Sequence, residues 1–120
     1  MRSYLVTAVC VLLVYLAVSA IGNSAQTEFV TTNYVKIGGG TYEPRNIQIK
    51  RGEMVTFEVV DPPGSPAEYG VENIKGSAER YASTVLRPGD RFNLIFERVG
   101  TFKYQDRYNR SIVGTVRVVE

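Results

Sequence analysis

From Glu28 onward, apolar residues recur at every second position and are interrupted by Gly and Pro. That is the spacing of strands that turn one face to a core, not of helices. The pattern predicts a first strand from Val30 to Ile37, ended by Gly38-Gly39-Gly40. Ile47 and Ile49 alternate with Gln48 and Lys50, and after Arg51-Gly52-Glu53 come Val55, Phe57 and Val59. Two alternating runs around a Gly-containing turn predict a hairpin. Asp61-Pro62-Pro63-Gly64-Ser65-Pro66 lacks amide donors at its prolines, so it is expected as a loop at one end of the sheets. A short strand from Tyr69 to Ile74 follows, then a polar crossing from Gly76 to Ala82 with room for a helical turn. Val85 and Leu86 precede the turn Arg87-Pro88-Gly89-Asp90. The clearest strand holds Phe92, Leu94 and Phe96, and Gly100 to Tyr104 and Val113 to Val118 complete the set. About seven or eight strands result, the number an all-β Greek-key sandwich needs to cover both faces.

The first 25 residues follow another rule. Arg2 precedes an apolar run from Tyr4 to Val18, and the small residues Ser19, Ala20, Gly22, Ser24 and Ala25 come after it. This order matches a signal segment, with cleavage before Ile21 or Gln26. Kept as a helix, residues 4–21 would be roughly 27 Å long, enough to act as an uncleaved anchor. Both readings leave Arg2 in the cytoplasm and carry residues 26–120 outside it, to the periplasm or the extracellular space. Residues 1–25 are therefore expected as signal peptide or membrane anchor and 26–120 as one exported domain. Membrane contact is expected only through residues 4–21, if they are retained.

Composition then removes chemistry. The chain has 120 residues with no His, no Trp and one Cys, Cys10, which lies inside the apolar run. Ser-His-Asp triads, Cys-His pairs, His-ligated zinc and disulfide scaffolds are excluded. A net charge of +2, scattered among acids, gives no electrostatic footprint for nucleic acid. Acids, Tyr and Ser remain, for instance a Glu68 and Asp106 pair for sugar hydrolysis, which needs a fixed separation across a cleft. No enzyme is expected. Asn109-Arg110-Ser111 also forms a glycosylation sequon.

Residues 41–119 resemble the cupredoxins, the small copper-binding β-sandwich electron carriers. The resemblance rests on Tyr42-Glu43-Pro44, Ile47-Gln48-Ile49, Gly52-Glu53 and Val55-Thr56-Phe57 in the first half. In the second half it rests on Leu86-Arg87-Pro88-Gly89, Phe92 to Phe96, and Gly100-Thr101-Phe102-Lys103-Tyr104. It implies a terminal loop over Asp106 to Gly114, where cupredoxins have Cys-x-x-His-x-x-Met-x-Gly. Asp106 then stands at the Cys position, Asn109 at the second His, Ile112 at the axial Met, and Tyr69 at the upstream His. Type 1 copper needs a thiolate and two imidazoles, and hard oxygen donors do not replace them. No cofactor is expected. Met54 is a lone thioether outside the leader and reads as a space filler.

In this frame Ile112 would fill volume, while Tyr69, Asp106 and Asn109 would close a hydrogen-bonded network. Glu68, Glu72, Asp106 and Asn109 would also converge as oxygen donors without matching a calcium loop. Cupredoxins dock partners through the loops around the copper. The equivalent candidates here are Pro62, Pro63, Tyr69, Arg107, Tyr108 and Arg110, with Tyr81 beside them. The expectation is an exported, copper-free, protein-binding or structural accessory module, with its partner at or near a membrane. The alternative is an exported metal-handling or vestigial redox protein.

Overall fold

The computed structural model describes residues 28–74 and 80–120. The expected signal peptide or anchor and its expected cleavage sites lie outside the described residues, and among the described residues no helix is long and apolar enough to cross a membrane. Nine strands occur there: β1 (Val30–Thr31), β2 (Tyr34–Gly38), β3 (Thr41–Glu43), β4 (Asn46–Lys50), β5 (Met54–Val59), β6 (Glu72–Asn73), β7 (Arg91–Ile95), β8 (Gly100–Gln105) and β9 (Val113–Val119). One sheet has the order β1-β4-β9-β8-β6 and the other β3-β2-β5-β7.

Alternation along the strands decides which side chains face the space between the sheets. Val35 and Ile37 of β2, Ile47 and Ile49 of β4, Val55, Phe57 and Val59 of β5, and Val116 and Val118 of β9 are sealed there. Lys36, Lys50 and Arg117, on the alternate positions, face outward. Each such apolar side chain contributes roughly 2 kcal/mol on burial. The centre is aromatic: the Tyr104 ring lies 4.8 Å from Tyr42 and 5.3 Å, edge-on, from Phe57. A Cβ added at Gly114 would overlap the Tyr104 ring and the Arg45 carbonyl, so glycine is what lets that ring lie against β9.

Three strand expectations are corrected. The run from Val30 to Ile37 is two strands, because the polar pair Thr32 and Asn33 carries the chain from one sheet to the other. Asn33 Nδ2 donates to the Met54 carbonyl at 3.1 Å, and the Tyr34 amide donates to Thr32 Oγ1 at 3.3 Å. The expected hairpin of β4 and β5 does not form. β4 pairs in parallel with β9 and β1, whereas β5 pairs with β2 and β7. The turn between them bridges the sheets: the Arg51 amide donates to Val119 O and the Gly52 amide to Phe96 O, both at 2.7 Å, with Gly52 at φ 87°. The strand from Tyr69 to Ile74 reduces to Glu72–Asn73, with a separate bridge from Tyr69 to Leu86. The first run counts as two strands and the three-residue β3, too short to show a period, was not expected, so nine strands replace the expected seven or eight. The helical turn expected in 76–82 falls mostly on residues 75–79, outside the described ones; Ala82 bridges to Glu72.

The strands give the sandwich two unlike ends. The loop end gathers Gly39-Gly40, residues 61–69, Arg87 to Asp90 and the segment from Asp106 to Ile112. The opposite end carries Arg51 to Glu53 and Glu97 to Val99.

Candidate functional site at the loop end

The segment after β8 is pinned at both feet. Asp106 is 1% exposed and Ile112 is 8% exposed, and the Asp106 amide donates to the Ile112 carbonyl at 3.0 Å. Asp106 Oδ1 accepts from the Gly70 amide at 2.8 Å and from the Tyr108 amide at 3.1 Å. Hydrogen bonds to a carboxylate contribute about 1.5–3 kcal/mol each, so this group ties the 106–112 loop to the strand entrance at Gly70. Asp106 Oδ2 is buried and receives no hydrogen bond from the described residues. Asn109 shapes the middle of the loop: its carbonyl accepts from the Ile112 amide at 3.0 Å, and its Oδ1 accepts from the Ser111 amide at 3.2 Å and the Ser111 hydroxyl at 2.6 Å.

Gly70 is held through both of its backbone groups. Its amide donates to Asp106, and its carbonyl accepts from the buried Tyr42 hydroxyl at 2.8 Å. A Cβ there would lie 3.2 Å from Arg107 Cβ, so the loop packs directly on the glycine backbone. Burial, and after it the charge of Asp106, pushes the Tyr42 hydroxyl well above the usual tyrosine range. Neither Tyr42 nor Gly70 was expected here as a site residue. The available signal was a glycine between two apolar residues that must both turn inward, Tyr69 and Val71. Ser83, also buried, accepts from the Val71 amide at 2.9 Å and donates to the Thr84 carbonyl at 2.8 Å.

The expected closed network of Tyr69, Asp106 and Asn109 is not what forms. The Tyr69 hydroxyl accepts from the Gly40 amide at 3.2 Å, and burial first, then Asp61, raises it. Asp61 Oδ1 in turn accepts from the Gly39 amide at 3.1 Å. Backbone amides thus took the acceptors that were expected to pair with other side chains. The oxygen donors do not converge either. Glu68 pairs with Arg87 at 3.5 Å, Glu72 with Arg107 at 3.8 Å and with Gln105 at 3.1 Å, and Asn109 faces solvent in its own turn. No group of three or more Cys, Asp or Glu able to hold a metal occurs among the described residues.

Of the candidate contact residues, Pro62, Pro63, Arg107, Tyr108 and Arg110 are exposed, Tyr108 by 48%. Tyr69 is 6% exposed, so it supports the loops from beneath and cannot itself be a contact. Tyr81 belongs elsewhere: its ring meets Phe96 edge-on at 6.1 Å, toward the opposite end.

Solved structures resemble this arrangement over most of the described chain. A purple cupredoxin from Nitrosopumilus maritimus is 26% identical with a TM-score of 0.62, over 72% of this chain and 99% of its own. The fold is cupredoxin-like. A reduced amicyanin variant is 21% identical with a TM-score of 0.63, over 78% of this chain and 87% of its own. A copper-containing nitrite reductase from Thermus scotoductus is 21% identical with a TM-score of 0.66, and the match covers 78% of this chain but 23% of that enzyme. No protein-family model and no curated protein sequence matches the chain.

The residues of this cupredoxin-like domain do not fit type 1 copper, which needs one thiolate and two imidazoles. At the positions the resemblance assigns to ligands, Asp106 Oδ1 is engaged by two amides, Asn109 Oδ1 by Ser111, and Ile112 offers only hydrocarbon to the core. Tyr69 presents a phenol bound to a backbone amide.

Proposed function

We propose that residues 26–120 form an exported, cupredoxin-like module that acts by contact, binding or bracing a protein partner as an accessory subunit of a membrane complex. The observation that carries this reading is the division of labour within the 106–112 loop. Its feet, Asp106 and Ile112, turn inward, while Arg107, Tyr108 and Arg110 are left exposed on the rim. A rigid ring between two guanidinium groups is a composition enriched where proteins meet, because it gives large contact at low entropy cost. Fixing the loop from beneath through Gly70 lowers the ordering cost of docking further.

Co-purification from native membranes tests the proposal. A stable partner complex, lost with Arg107→Ala combined with Tyr108→Ala and kept with Arg51→Ala combined with Glu97→Ala at the opposite end, supports it. A complex indifferent to the loop pair, or a purified domain holding stoichiometric reducible copper, overturns it.

A further inference from the structure

The two sheets end in four edge strands, and three of these are short. β1 and β6 have two residues each, and β3 has three before Pro44. The fourth, β7, runs five residues from Arg91 to Ile95 and pairs with β5 alone among the described residues. In an antiparallel pair every second residue turns its amide and carbonyl toward the partner strand. The Val59 amide donates to the Asp90 carbonyl at 3.0 Å and the Phe96 amide to the Glu53 carbonyl at 3.4 Å, at the two limits of the register between β5 and β7. Phe92 and Leu94, between them, therefore also face β5. Arg91, Asn93 and Ile95 turn their amides and carbonyls outward, where no described residue bonds to them. Natural edges are blunted by Pro, Lys, a bulge or a charge turned inward. β7 has neither Pro nor Lys, and its inward side chains are Phe92 and Leu94, which are only partly buried against the core.

We infer that the β7 edge pairs with the β7 edge of a second copy of this chain, antiparallel about a two-fold axis at Asn93, and joins two four-stranded sheets into one. This register sets Asn93 opposite Asn93 of the second copy, and Arg91 opposite its Ile95. All the outward residues of both strands are then used, each opposed pair exchanging both of its backbone bonds. On the inner face Phe92 falls opposite Leu94 of the second copy, which covers the apolar surface that the free edge leaves half open. On the outer face Ile95, 53% exposed and level with Met54, meets the aliphatic stem of the opposing Arg91, whose guanidinium stays on Glu58 at 3.2 Å. The two Arg91 side chains stand at opposite ends of the seam, about 14 Å apart at 3.4 Å per residue. A register centred on Arg91 would set like charges face to face, and one centred on Ile95 would carry the pairing beyond the end of the strand. The edge thus complements itself, which selects a second copy as its occupant. At about 17 Å the seam buries less than the roughly 1,200 Å² of a stable complex, so the dimer is reversible. It shares no residue with the loop-end surface, and neither reading depends on the other.

Sedimentation equilibrium of the full chain in mild detergent is expected to pass from one copy to two between about 1 µM and about 1 mM. Ile95→Lys, which sets a cation opposite Arg91 of the second copy, is expected to weaken association at least about tenfold with the melting temperature unchanged. In a Cys10→Ser background, Asn93→Cys is expected to cross-link to its own kind under mild oxidation, because opposed residues of a bonded pair stand about 5.5 Å apart at Cα. Lys36→Cys, on the same face but two strands in from the seam, is expected to stay single. A single copy at every concentration overturns the inference, and so does a dimer indifferent to Ile95→Lys or cross-linked as readily through Lys36→Cys. Should Ile95→Lys fail to fold, the two cysteine variants decide by themselves. Asn93→Cys captured on a different protein in place of its own kind gives the edge to a partner's strand and overturns the second copy.

Discussion

Within the seven residues from Asp106 to Ile112, the two feet and the crown have unlike jobs. The feet are sealed and bonded to Gly70 and to each other, so their identity is dictated by the strands beneath. The crown, Arg107, Tyr108, Asn109 and Arg110, is exposed; the Tyr108 amide donates to Asp106, Asn109 bonds within the loop to Ser111 and Ile112, and Arg107 pairs with Glu72 at 3.8 Å. In a copper centre, foot and crown would be coupled by the ion. Here hydrogen bonds to amides fix the feet, which leaves the crown free to vary without loss of the fold.

Substitutions in the two parts are expected to differ in effect. The largest effect is expected below the loop: Gly114→Ala drives a methyl into Tyr104 and the Arg45 carbonyl and costs about 3 kcal/mol or more, measured by denaturant unfolding. A fully stable Gly114→Ala domain would mean that the Tyr104 ring does not fix the loop root. Asp106→Ala removes the acceptor for two amides and is expected to cost about 2–3 kcal/mol. Asp106→Asn keeps a carbonyl for those amides and replaces Oδ2, which receives no hydrogen bond from the described residues, so it is expected to recover most of that loss. If Asn were as damaging as Ala, the acceptor role assigned to the foot would be wrong.

Alkaline titration reads the same core. Burial raises the Tyr42 and Tyr104 hydroxyls above their ordinary value of 10.0. A group whose folded value is raised contributes stability that is full below the unfolded value and is lost as pH climbs toward the folded one. Melting temperature is thus expected to fall steadily above about pH 10, and more shallowly in Tyr42→Phe. A melting temperature flat to pH 12 would contradict buried neutral phenols. The smallest stability effect belongs to the crown: Arg107→Ala with Tyr108→Ala is expected to stay within about 0.5 kcal/mol of the parent while abolishing partner retention. A large loss of stability from that pair would erase the distinction between foot and crown.

The sandwich and its core were legible in the sequence because alternation at Val35, Ile37, Val55, Phe57, Val116 and Val118 has one physical reading, a half-buried strand. Sheet membership was not. Ile47 to Val59 has the alternation of a hairpin, yet the partners of β4 and β5 are distant in the chain, and only tertiary pairing assigns them to separate sheets. At the loop end, residue types marked Asp106 and Ile112 as replacements for ligands. They could not show that Asp106 would choose the Gly70 and Tyr108 amides over Tyr69, since backbone donors carry no signature in the side-chain alphabet. Tyr42 escaped for the same reason, because its partner is the carbonyl of a glycine.

The two residues of β1 do more than lead the chain into the sandwich. They occupy the outer margin of β4, whose amides and carbonyls would otherwise be open to a strand from another molecule. A protease that trims before Gln26 leaves this guard in place, whereas trimming past Thr31 would strip it and expose a template for polymerisation. Two paired residues at the entrance to the sandwich thus guard the margin of a five-stranded sheet.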